Sequence, residues 1–226
     1  MSAVSLVVFL ALVALVCGAL VWGVRRVAPR RVRPVGIGLG LWLGATAALA
    51  ASGVLSAFDA VPPRAPIVLL GFTGATAALA FSRLGATLAQ LPLWALVGVQ
   101  AFRAPLEWLL HRLWSEGVLP VQVTYAGWNY DIATGLLAVL LALALWRSDV
   151  PRRVVGAWNG LGLALLGIVV ATAALSLPTP FQQFAPSTEA ILTVPLIWLP
   201  AVLVQAAFLG HLLVIRRLRA DAASGP

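Results

Sequence analysis

Cysteine is nearly absent: Cys17 stands alone in 226 residues, which excludes an intrachain disulfide and any paired-thiol redox chemistry. Lysine is missing altogether. All fifteen basic residues are arginine, so no Schiff-base lysine can operate. With two histidines, His111 and His211, the chain cannot build a zinc site from three imidazoles. Acidic residues number seven, and charged residues of both signs make up 10% of the chain, against about a quarter in soluble domains. That scarcity excludes an ordinary soluble enzyme, a disordered tail and a small secreted scaffold.

What fills the space is hydrocarbon. Apolar residues make up 62% of the chain, mean hydropathy is +1.01, and the apolar runs recur at about the 20-residue length that spans a bilayer. The connections between runs are too short to fold separately, so residues 1–226 read as a single transmembrane domain. The fold class expected is an all-α bundle of seven transmembrane helices, near Ala3–Val24, Val35–Phe58, Pro66–Ser82, Leu91–Trp114, Ile132–Trp146, Val154–Leu175 and Ile191–Ile215. The first run lacks a basic segment ahead of it, and the bulky Val16 before Cys17 does not suit a lipoprotein cleavage box, so it reads as a retained span.

With seven crossings, 12 of the 15 arginines fall on one side: Arg25, Arg26, Arg30, Arg31, Arg33, Arg83, Arg147, Arg152, Arg153, Arg216, Arg217 and Arg219. The positive-inside rule makes that side cytoplasmic, with the N-terminus outside. A multi-pass protein of the cytoplasmic membrane follows, with membrane lipids as its surroundings. The sequence pI of about 11.6 does not point to nucleic acid, because the arginines are scattered over several loops without interleaved aromatics. Glycines at 36, 40 and 44, and at 156 and 160, recur every fourth residue, a spacing that lets helix backbones approach closely. Pro195 and Pro200 should bend the last helix and free carbonyls for other partners.

The informative stretch lies in the fourth run. Gln100, Arg103, Glu107 and His111 are spaced three, four and four, which makes one stripe on a helix face. A charged residue at a helix centre costs roughly 2.5–3.5 kcal/mol on insertion scales, and such residues face a bundle interior or a wet cavity. Arg103 and Glu107, at i,i+4, can neutralise each other. Pro105 removes one helical hydrogen bond and leaves a carbonyl near Ala101 free. The stripe rises toward a polar, aromatic outer loop containing Gln122, Thr124, Tyr125, Trp128, Asn129, Tyr130 and Asp131. An outward-facing pocket lined by Arg103, Glu107, His111, Trp128, Asn129 and Asp131 is the expected ligand-binding site. Arg103 would anchor an anionic group, Glu107 would hold Arg103, and Trp128 would form an apolar wall. Gln100, Asn159, Gln205 and His211 are expected as helix-packing polar residues, with His211 near the cytoplasmic end of the seventh helix. The two histidines lie toward opposite faces and do not sandwich a haem.

Several features resemble those of uncharacterised bacterial seven-helix integral membrane proteins: Phe102-Arg103, Glu107, His111, Gly117 and Pro120; Gly127-x-Asn129-x-Asp131; Asn159; Pro178-Thr179-Pro180-Phe181; and Trp198-Leu199-Pro200 with Gly210-His211. The resemblance covers roughly the last 130 residues. It implies the bundle and carries no activity.

Three readings stay open. The first is a protein that binds or transports a small or amphipathic ligand, an anionic one included. The second is an intramembrane enzyme using Glu107 and His111 as acid and base, or as metal ligands with Asp131. The third is a structural subunit in which Arg103 and Glu107 lock the packing. No cofactor and no metal is called for, no nucleic-acid partner is expected, and oligomeric state is not readable.

Overall fold

In a bilayer, a backbone meets its hydrogen-bonding needs only as a helix or a closed barrel, and the apolar runs of this chain are helical. The computed structural model describes residues 1–58, 60 and 62–223. Among the described residues there are helices and turns but no strand: α1 (Ala3–Val27), α2 (Val32–Ala51), α3 (Arg64–Phe81), α4 (Arg83–Leu88), α5 (Leu93–Gly98), α6 (Arg103–Ser115), α7 (Ile132–Arg147), α8 (Arg152–Leu175) and α9 (Val204–Ala223). Five helical stretches are long and apolar enough to cross a membrane: Ala3–Val27, Pro29–Ala51, Arg64–Phe81, Arg152–Leu175 and Leu199–Ala223. Asp59, in the expected second connection, lies outside the described residues.

Two expected spans differ in form. Leu91–Trp114 is not one α-helix: α5 and α6 are joined by a 3₁₀ turn at Val99–Phe102. Pro105 supplies no N–H to the carbonyl of Ala101, and at this point the Arg103 N–H reaches the Gln100 carbonyl in the tighter pattern. The last span begins not at Ile191, which sits in a 3₁₀ turn at Glu189–Leu192, but at Leu199, with a π-helical turn (Leu199–Leu203) leading into α9. Pro200 breaks the regular ladder there. The freed carbonyl of Pro200 accepts from Gln205 Nε2 at 3.0 Å, and that of Ala201 from Trp42 Nε1 at 2.9 Å.

α6 ends in a Schellman motif. Gly117 takes φ +71°, its N–H bonds the Trp114 carbonyl, and the Val118 N–H bonds that of Leu113. Next to it, Glu116 clamps the start of α1, accepting from the hydroxyls of Ser5 (2.6 Å) and Ser2 (2.7 Å) and from the Ser2 N–H (2.7 Å). Those bonds, Ser5 first, hold its carboxyl down at about 2.

Between α6 and α7 the chain turns back into the bundle. Gln122, Val123, Thr124, Asn129 and Asp131 are buried, whereas Tyr125, Trp128 and Tyr130 between them are exposed, so the segment dips its polar side chains into the bundle and leaves its aromatic ones outside. α7 starts beside Arg103, deep in the molecule, which is why it is only 16 residues long.

The glycines that admit close neighbours are not those of the expected stripe. A Cβ at Gly36, Gly40, Gly44 or Gly160 would meet nothing within 4 Å. α2, which carries the first three, has a single buried residue, Thr46. Close approach occurs at Gly135, whose Cβ would lie 2.5 Å from the Ala104 nitrogen, at Gly162 against the His211 ring, and at Gly210 against the Gln100 amide.

Candidate functional site

Two apolar clusters make up the interior, one around Phe9, Leu109, Leu177 and Leu203, the other around Val24, Leu88, Val155 and Val214. Along α6, α7, α8 and α9 the buried polar residues fall where one cluster gives way to the other. They form a polar layer with two distinct parts.

The first part centres on one buried guanidinium. Arg103 is 1% exposed. Its Nε donates to Asp131 Oδ2 at 2.6 Å, its Nη2 pairs with the same carboxylate, and its Nη1 donates to His211 Nε2 at 2.7 Å. Arginine has no acceptor, so Nε2 of His211 must accept; the ring proton then sits on Nδ1 and is donated to Asn159 Oδ1 at 2.9 Å. The Trp158 ring flanks His211 at 5.5 Å between centroids, and its Nε1–H reaches the Thr134 carbonyl at 3.3 Å. One guanidinium thus ties together α6, α7, α8 and α9. Gly162 and Gly210 provide the room, since side chains there would collide with His211 and Gln100.

The second part borders a cavity. Asn129 donates to Glu107 Oε2 at 2.7 Å and to the Val123 carbonyl at 3.0 Å, while its Oδ1 accepts the Asp131 N–H at 3.1 Å. That last bond is an Asx turn, and it sets Asp131 against Arg103. Glu107 Oε1 takes no hydrogen bond among the described residues. Across the same cavity, Gln205 gives its amide N–H to Pro200 and leaves Oε1 buried without a partner. The cavity encloses about 290 Å³ and is walled mainly by Leu and Val from α3, α6, α8 and α9, near the lower end of the roughly 300–1,000 Å³ typical of ligand pockets. Leu70 of α3 and Val170 of α8 line it and are themselves exposed, so part of its wall lies at the protein surface.

The expected site residues therefore divide. Arg103, Glu107, Asn129 and Asp131 come together and border the cavity. Arg103 is not paired with Glu107 and is not free to anchor an anion, because Asp131 and His211 occupy its nitrogens. His111 stands apart, stacked on Tyr125 at 4.4 Å with Trp114 beside it. Trp128 is 58% exposed and forms no part of the cavity wall. Glu107, His111 and Asp131 do not converge as metal ligands, and among the described residues no three His, Cys, Asp or Glu do. Gln100 donates to the Ala207 carbonyl at 2.9 Å, joining the 3₁₀ turn to α9. His211, expected toward the helix end, is fully buried in the polar layer. Gly162 carries no polar signal of its own in the sequence; what could reveal it is its place one helical turn from Asn159 on the same face.

A family model described as a domain of unknown function (DUF8737) matches residues 64–219, more than two thirds of the chain. The chain belongs to that family. The DUF8737 region holds every residue of the Arg103 network and both acceptors of the cavity, Glu107 and Gln205, whereas α1 and α2 precede it. No curated protein and no solved structure matches the chain.

Proposed function

We propose that this protein takes a small amphipathic molecule sideways out of the bilayer into the cavity between α3, α6 and α8, either to hold it or to pass it across. The observation that carries this reading is a buried acceptor without a partner, Gln205 Oε1, set with the Glu107 carboxylate in otherwise apolar walls. A buried acceptor without a donor costs about 1–3 kcal/mol, and a ligand whose polar end donates hydrogen bonds removes that cost. An ammonium, amide or hydroxyl group therefore suits the site better than the anion first expected, and an apolar body suits the walls.

The test is mass spectrometry of small molecules extracted from the purified full-length protein. Glu107→Gln keeps an oxygen for Asn129 but loses the charge, and should lower ligand retention about tenfold or more. Leu70→Trp should block the mouth and have the same effect without touching a polar group. Identical extracts from wild type and both variants would refute the reading.

The same proposal places the chain in the cytoplasmic membrane with seven crossings, an outer N-terminus and an inner C-terminus. α5 and α6 with their 3₁₀ link form a continuous helical rod, and α7 is apolar though short; counting both as crossings puts the 12 arginines on one face. In a Cys17→Ala background, Ser115→Cys and Gln183→Cys should react with a membrane-impermeant thiol reagent from outside, and Ser148→Cys only after the membrane is opened. Labelling of Ser115→Cys and Ser148→Cys from the same side would remove α7 as a crossing and overturn the seven-span count.

A further inference from the structure

A second, larger cavity of about 1030 Å³ lies on the other side of α9, between α2 and the helices that face it. Its lining is almost wholly apolar and includes Leu20, Gly38 and Ala142. Along the π turn and α9 the lining runs from Ala201 to Leu213, about 18 Å at 1.5 Å per residue, which is a little over half of a 30 Å hydrocarbon core. The depth is therefore that of one leaflet.

Three tryptophans border the cavity at its arginine-rich end: Trp22 in α1, Trp94 in the first turn of α5 and Trp146 in the last turn of α7. Trp22 and Trp94 meet with ring centroids 6.5 Å apart. The Arg26 guanidinium lies over Trp22, 5.4 Å from the ring centroid. Arg25 precedes Arg26 in the last turn of α1, Arg30 and Arg31 lie in the turn between α1 and α2, Arg33 is in the first turn of α2, and Arg147 follows Trp146. All six arginines are exposed, and none is in a salt bridge among the described residues. An apolar slot one leaflet deep, with an aromatic collar and uncompensated positive charge at its mouth, is complementary to a lipid with an anionic head.

We propose that this cavity is a binding site for one anionic glycerophospholipid, its acyl chains between α2 and α9 and its phosphate at Arg26 and the neighbouring arginines. The site is separate from the Glu107 cavity and does not depend on the function proposed for it.

Native mass spectrometry of the full chain, reconstituted in equimolar dioleoyl phosphatidylglycerol and dioleoyl phosphatidylcholine and then extracted in mild detergent, tests this. The expected result is one phosphatidylglycerol retained per chain in preference to phosphatidylcholine. Arg26→Gln, an exposed change without an ion pair to break, should cut that preference about fivefold, as one surface arginine contributes about 1 kcal/mol toward anionic lipid. Gly38→Phe fills the slot where a Cβ meets nothing within 4 Å, and should abolish retention while leaving the thermal unfolding midpoint in lipid-free detergent unchanged. Equal retention of the two lipids by wild type overturns the proposal. So does retention unaffected by Gly38→Phe, or a chain that pairs with a second copy through this face and holds no lipid there.

Discussion

Arg103→Gln should destabilise the protein by about 3–5 kcal/mol, the usual cost of removing one partner from a buried ion pair. The substitution leaves the Asp131 carboxylate enclosed without its counter-charge and the His211 Nε2 without its donor. Asp131→Asn alone should cost a comparable amount, because it strands the guanidinium instead. The double variant Arg103→Gln/Asp131→Asn should recover a large part of the loss, since neither group is then charged and both side chains can still hydrogen-bond. Denaturant unfolding of the four proteins in one detergent completes the cycle, and the interaction energy is the departure from additivity. Additive single effects, or an Arg103→Gln variant as stable as wild type, would show that the pair does not hold the four helices together.

The second large effect is expected at Gly135. Its Cβ would lie 2.5 Å from the Ala104 nitrogen, 3.1 Å from the Arg103 carbonyl carbon and 3.2 Å from the Ala104 Cα. All three neighbours are backbone, so no side chain can swing aside, and α6 and α7 must separate at the level of Arg103. Gly135→Ala should therefore fall at or above the upper end of the roughly 1–3 kcal/mol typical of overpacking. Gly40→Ala provides the contrast: the site is open, and alanine favours a helix by about 0.8–1 kcal/mol over glycine, so stability should hold or rise slightly. Unfolding midpoints of the two variants, measured side by side, decide the matter. A Gly40→Ala loss as large as that of Gly135→Ala would move the close helix contact back to α2.

These contrasts show what was legible in the sequence. Membrane-length helices and an all-α fold follow from run length and composition alone, and the polar ladder from the cost of charge in hydrocarbon. Partners were harder to read. Arg103 has Glu107 one turn away, yet it binds Asp131, 28 positions on, because the chain after α6 folds back into the bundle and no local pattern announces that return. His211 stands 108 positions from Arg103, a distance that spacing rules do not bridge. The glycine repeat of α2 misled for the opposite reason: spacing tells that a helix face is smooth, not that another helix rests on it. Pro105 and Pro200 mark interruptions in the sequence, but whether a 3₁₀ or a π turn absorbs each depends on which neighbour satisfies the freed carbonyls.

The inward fold of residues 116–131 also constrains how the molecule is made. Gln122 is held by Ser176 and by the Pro186 carbonyl, and Arg103 by His211, all of which leave the ribosome well after α6. Until they do, Gln122 and the Arg103 Nη1 lack those partners, although the Arg103–Asp131 and Glu107–Asn129 pairs lie within the hairpin of α6 and α7 itself. Its final burial therefore has to wait for the last helix, which makes biosynthesis of the bundle a C-terminally gated event: a nascent chain halted before His211 should stay wet at its centre.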